Sequence, residues 1–203
     1  MEARLRDVFD ALVPIPSEEW AEFWPHVRER HFPTGAYVYR EHHAAPDVHY
    51  IISGMVRLYH NGDGVEYVRG FDFEGRFIAA YESVVTGRPS QINMQALEPV
   101  HALAFPGSLL LQLYDRHWCW ERFGRKILEQ LWFKRQDKEM RFRLFTPEEH
   151  YRLLIQRKSP LIGRVPLRQL ASYLQITPET LSRIRARVKR NPGRHVPDPA
   201  ATA

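Results

Sequence analysis

Residues 165–184 read VPLRQLASYLQITPETLSRI, and the reading of this stretch governs the rest of the chain. Leu167, Leu170, Ala171 and Leu174 recur at helical spacing on one face of a first helix, and Leu181, Ile184 and Val188 do so on a second. Between them Gln175-Ile176 forms the turn, and Thr177-Pro178 supplies a cap followed by proline at the first helical position. Small Ala171 lets the two helices cross closely. The spacing predicts a helix-turn-helix.

Counting about 100° per residue, the face opposite Leu181, Ile184 and Val188 presents Glu179, Ser182, Arg183, Ala186 and Arg190. A helix lodged in the major groove reads base edges with such a set. Arg183 can donate a fork to guanine O6/N7, Glu179 can accept from cytosine N4, and Ser182 can serve either way. Arg168, Thr177, Thr180, Arg187, Lys189 and Arg190 flank that face and suit phosphates, which fix register without reading sequence. The competing reading is a helical pair that touches only protein.

Charge favours a polyanion. The whole chain of 203 residues carries a formal +5, but residues 1–140 hold 16 Lys/Arg and 20 Asp/Glu, whereas residues 141–203 hold 13 and 4. A segment at +9 attached to a body at −4 implies two modules, the smaller facing nucleic acid.

Upstream, the pattern divides the chain further. Arg4–Leu12 reads as a helix, and Ser17-Glu18-Glu19, with serine as cap and acids in the first turn, opens a second one carrying Trp20, Phe23 and Trp24. From about Phe32 to Phe105 short alternating runs follow, at residues 37–39, 49–52, 55–59, 66–71, 92–97 and 101–105, with turns at Ser53-Gly54 and 61–64. Strands of this spacing mean a sandwich, roll or barrel. After Pro106 the period turns helical, and Trp120, Phe123, Ile127 and Leu131, joined by Leu128 and Trp132, make an apolar stripe. That helix is expected to run from His117 to Leu144, to pack on the roll and to pair with a second copy. Thr146-Pro147-Glu148-Glu149 has the form of a capping box, and Pro160 is expected to end the helix it opens. The expected domains are therefore 1–116, 117–145 and 146–191, with 192–203 a disordered tail.

Several function classes drop out. No apolar run approaches the roughly 18 residues of a membrane-spanning helix, and the N-terminus lacks the pattern of a secretory signal, so a cytoplasmic location is expected. Cys119 is the only cysteine, which excludes intrachain disulfides and a multi-thiolate metal site. Nucleophile-elbow, P-loop, dinucleotide and His-Glu-x-x-His motifs are missing. His42, His43 and His49 invite comparison with a metal enzyme built on a β-roll, but no second ligand motif accompanies them. Neither an enzyme nor a metal site is expected.

The helix-turn-helix, together with Tyr50–Leu58 and the segment Phe71–Leu97, resembles the Crp/Fnr family of bacterial transcription regulators over almost the whole chain. The resemblance implies an α+β fold. An N-terminal double-stranded β-helix, a jelly-roll-like β-roll of the cyclic-nucleotide-binding type flanked by helices, is joined by a long connecting and dimerisation helix to a C-terminal all-α helix-turn-helix domain. It implies as partners double-stranded DNA, a second copy of the chain, RNA polymerase and a small-molecule effector whose identity the sequence leaves open. Effector contacts would fall at Gly75, Arg76, Phe77, Arg88 and Ser90.

Four departures from the family pattern matter. Relatives that bind cyclic AMP carry Gly-Glu for the ribose and Arg-Ser or Arg-Thr for the cyclic phosphate, whereas here Arg76 follows Gly75 and Pro89 precedes Ser90. Without a charge-assisted phosphate anchor, cyclic nucleotide binding is expected to be absent or weak, and no cofactor is expected. Arg76 and Arg88 are expected to pair with Glu74 or Glu82. Gln175 stands where the turn favours glycine, and the chain closes soon after the second helix with no strand pair for a wing, a short form. Cys119 alone cannot hold the iron–sulfur centre of oxygen-sensing relatives. The alternative function is a ligand- or partner-sensing roll that does not bind DNA.

Overall fold

The computed structural model describes residues 1–191 and 196–197. They pack as two units, one of 1–58 with 71–131, the other of 59–70 with the described residues from 132 onward.

The first unit opens with helices α1 (Glu2–Asp10) and α2 (Ser17–Phe23). Pro16, not Ser17, is the N-cap of α2, so the expected serine cap bond is not made. Proline, with its extended backbone, takes the cap position itself, so the helix begins one residue earlier than expected. Strands β1 (Arg28–Phe32), β2 (Tyr37–Tyr39), β3 (Asp47–Ser53), β4 (Met55–Gly62), β5 (Val65–Phe73) and β6 (Phe77–Ile78) follow. Helix α3 (Tyr81–Thr86) interrupts them before β7 (Asn93–Ala96) and β8 (Val100–Pro106).

Two four-stranded sheets result, ordered β1-β8-β3-β6 and β2-β7-β4-β5. Gly54, at φ +94°, turns β3 into β4 where a Cβ would strike the backbone of Pro99 and Val100. Asp63 and Gly64 both have positive φ and form the two-residue loop between β4 and β5, the mirror-image turn that matches strand twist. Helix α4 (Gly107–Arg116) then leads into α5 (Trp118–Leu144). An aromatic cluster fills the core of this unit: Phe9 stacks on Phe123 at 4.1 Å and meets Trp20 and Trp120 edge-on. The two buried indoles keep their N–H groups satisfied, Trp20 donating to Glu2 at 2.9 Å and Trp120 to Glu19 at 2.8 Å.

In the second unit the end of α5 is followed by α6 (Pro147–Gln156), the short α7 (Leu161–Arg164), α8 (Leu167–Tyr173) and α9 (Pro178–Arg190). Thr146 makes the expected capping box, accepting from the Glu149 amide at 3.3 Å while the Glu149 carboxylate accepts from the Thr146 amide at 2.9 Å. Pro160 does not end α6. The helix closes four residues earlier, because Lys158 swings to φ +47° and the amides of Lys158 and Ser159 cap the carbonyls of Ile155 and Leu154. Leu170, Ala171, Leu174, Leu181, Ile184 and Val188 are all buried between α8, α9 and their neighbours. The expected tail over 192–203 lies outside the described residues except for Val196, which is buried, and Pro197.

Candidate functional site

Four residues, Leu174–Thr177, join α8 to α9. Gln175 takes the left-handed conformation, φ +58°, its amide bonding the Ser172 carbonyl and the Ile176 amide the Ala171 carbonyl, both at 3.0 Å. This double cap is what the turn requires, and glutamine adopts it at a backbone cost that glycine would not bear. Thr177 then opens α9 by accepting from the Thr180 amide at 3.2 Å, and the two threonine hydroxyls lie 3.1 Å apart.

With Leu181, Ile184 and Val188 buried, the opposite side of α9 exposes Glu179, Ser182, Arg183, Ala186 and Arg190. The amide at the helix start and the Thr177 hydroxyl hold the Glu179 carboxyl below its ordinary range, and the Arg183 charge one turn away adds to this. Glu179 is thus a pure acceptor at neutral pH. Arg168, Thr177 and Lys189 are exposed around this face, and Thr180 is half-buried. Arg187 is exposed but engaged, donating to Glu148 at 2.8 Å. The same carboxylate accepts from buried Arg152 at 3.0 Å, and Arg152 also donates to the Asn191 carbonyl at 2.8 Å, which ties the end of α9 to α6.

The hairpin of β4 and β5 also belongs here through its tip. The Ser172 hydroxyl on α8 accepts from the Val68 amide and donates to the Glu66 carbonyl, each at 3.1 Å. The Lys138 ammonium donates to the Arg69 carbonyl and lies 5.0 Å from the Tyr173 ring centre.

The first unit holds a partly open cavity of about 190 Å³. Its walls include Phe77, Ile78, Leu110, Phe123, Ile127 and Leu131, with Asp72, Tyr81 and Tyr114 as polar exceptions; among the described residues no Lys or Arg lines it. Burial pushes the Tyr114 phenol up, and its contact with Tyr81 acts in the same direction. Gly124 leaves room on α5 for that phenol, where any Cβ would collide with it.

Of the residues expected around an effector, Phe77 alone lines this cavity. Arg76 is turned to Asp72 at 2.9 Å and to the Phe71 carbonyl at 3.2 Å, over the Phe73 ring, so its carboxylate is Asp72 rather than Glu74 or Glu82. Arg88 is exposed, Ser90 is buried with its hydroxyl donating to the Ile92 carbonyl at 2.8 Å, and Gly75 forms a turn at φ +80°. Sequence reasoning missed the cavity because its walls come from β6, α4 and α5, far apart in the chain. The apolar stripe of α5 was the available signal, and it reads as a surface for packing on the roll and for pairing.

Residues 29–117 match the cyclic nucleotide-binding domain family. No curated protein matches the chain. Solved structures do. FixK2 from Bradyrhizobium japonicum, 18% identical, superposes with a TM-score of 0.67 over 85% of this chain and 90% of its own. The c-di-GMP-responsive global regulator CLP from Xanthomonas campestris, also 18% identical, gives 0.65 over 90% and 96%. A protein from Eubacterium rectale assigned to the Crp/Fnr transcriptional regulators, 10% identical, gives 0.71 over 91% and 88%. At these identities the likeness is one of fold: a mixed α+β chain with an antiparallel roll, a long helix and C-terminal helices.

Proposed function

We propose that a chain joining a cyclic-nucleotide-binding-type roll to a basic α8–α9 pair is a sequence-specific DNA-binding transcription regulator of the Crp/Fnr type. In this reading α8 and α9 are the helix-turn-helix, and α9 enters the major groove. Glu179, Ser182 and Arg183 read base edges, while Arg168, Thr177, Thr180, Arg187, Lys189 and Arg190 hold phosphates. The observation that carries it is the exposed set Glu179, Ser182 and Arg183 on the side of α9 opposite its buried leucine, isoleucine and valine. The +9 charge of residues 141–203 and the fold shared with known regulators support it.

The regulator acts as a homodimer in the cytoplasm, meets RNA polymerase at its promoters, and has no enzymatic role. Support for pairing comes from α5, where Leu131, Trp132 and Phe133 are 49%, 58% and 68% exposed. Phosphate contacts come from the residues of α8 and α9. Gly75, Arg76, Phe77, Arg88 and Ser90 form a degenerate effector site that does not take cyclic AMP. Arg76 is already paired, and the cavity beside Phe77 is apolar, so a phosphodiester would be buried there without a cation. An effector for this cavity is a small apolar molecule.

Selection of bound duplexes from a random pool tests the reading. The expected product is an inverted repeat with half-sites about one turn, ~34 Å, apart, bound with an affinity that falls steeply with salt. Equal, weak affinity for every duplex at low salt overturns it and leaves a sensor that does not touch DNA.

A further inference from the structure

Strand β1 lies at the edge of its sheet and pairs antiparallel with β8, in a register that sets His31 directly opposite His101. Their rings stack with centroids 4.3 Å apart and planes 13° from parallel. Glu29, two residues before His31, faces the same side of the strand, as pleating requires. One of its oxygens, Oε2, lies 3.2 Å from His101 Nε2 and 3.9 Å from His31 Nε2, and the three ligand atoms all fall within 4.8 Å of one another.

We propose that Glu29, His31 and His101 bind a divalent first-row transition metal, with zinc as its representative. Two imidazole nitrogens and one carboxylate oxygen are a donor set for zinc, nickel or copper, whereas magnesium and calcium take oxygen alone. A tetrahedral zinc ion with bonds of about 2.0–2.1 Å needs its ligands roughly 3.4 Å apart. The Glu29–His101 spacing already meets this, and His31, whose side chain is 70% exposed, turns out of its stack on His101 so that its in-plane nitrogen lone pair reaches the same ion. Backbone pairing has fixed the rest, so binding orders three side chains and no main chain. Water completes the coordination on the open side. The metal staples edge strand β1 to β8, the strand it pairs with among the described residues. His42, His43 and His49 take no part: the first two are exposed on the loop before β3, and His49 is buried with its Nδ1 2.7 Å from the Tyr39 hydroxyl. The proposal departs from the expectation of no metal site at a place sequence spacing could not indicate, since Glu29 and His31 meet a histidine 70 residues further on.

Titration calorimetry of tag-free, full-length protein with zinc chloride tests this independently of any DNA binding. One zinc per chain is expected, with affinity at least tenfold weaker in His31→Ala and in His101→Ala, and unchanged in the His42→Ala/His43→Ala double variant. Zinc should raise the thermal midpoint of the wild type and not that of His31→Ala, whose exposed side chain can be removed without loss of fold. Magnesium at the same concentration should neither bind nor compete. Undiminished zinc uptake in His31→Ala, or no uptake by the wild type at 100-fold molar excess, overturns the proposal.

Discussion

Arg183 and Glu179 stand one turn apart on the open side of α9, a planar donor fork beside an ionised acceptor. If Arg183 reads guanine, Arg183→Ala costs on the order of 1–3 kcal/mol for the preferred duplex and flattens discrimination at one base pair, as competition binding would measure. A loss equal for all sequences would make it a phosphate contact. Gln175 bears on stability rather than recognition. Its left-handed backbone is fixed by the amides of Gln175 and Ile176, so Gln175→Gly keeps both bonds and removes the steric penalty. A gain of about 0.5–1 kcal/mol is expected in the urea midpoint at unchanged slope.

Between α6 and α9, one carboxylate holds two arginines. The Arg152 side chain is 4% exposed and has Glu148 as its counter-ion, whereas Arg187 is largely in water. Glu148→Ala leaves a buried guanidinium with the Asn191 carbonyl and is expected to destabilise the protein by about 3–5 kcal/mol. Arg187→Ala should cost less than about 1 kcal/mol in the same denaturation assay. The elements read correctly from sequence were those with a repeating period, a turn signal or a capping rule. The strands at 49–52, 55–59 and 66–71 are short runs rich in aromatic and branched residues set off by the turns at Ser53-Gly54 and 61–64, α8 and α9 repeat every three to four residues, and Thr146 announces α6. Those missed were β1, β6, α3 and the four-residue α7. The RERHF of β1 contains no apolar alternation because four of its five residues are exposed, so pairing with β8 alone makes it a strand. Phe77–Ile78 is too short to show a period, and α3 starts without a side-chain cap. The exposed Glu179, Ser182 and Arg183 side of α9 was readable because a single helix carries it; the cavity and the Glu29/His31/His101 cluster were not, because tertiary contacts assemble them.

Acid should weaken the fold as a whole in a defined window. Burial, aided by the Arg30 charge, pushes the His49 imidazole down to about 4, against 6.5 for the free group. The unfolded chain therefore takes up this proton first. The contribution of His49 is complete above pH 6.5 and is lost as pH falls toward 4, by about 3 kcal/mol if the whole shift is expressed. His150 is lowered by burial too and acts in the same sense. Denaturation midpoints recorded from pH 7 to pH 4 should fall less steeply in His49→Gln than in the wild type. The route of the backbone has a consequence of its own. The chain passes between its two units three times, after residues 58, 70 and 131. A protease that nicks α5 beside exposed Trp132 severs the last of these crossings, yet the hairpin tip, still part of the N-terminal fragment, stays clasped to Ser172 and Lys138 of the other. The nicked molecule should travel as one particle on a sizing column, and fall into two pieces only when denaturant loosens that clasp.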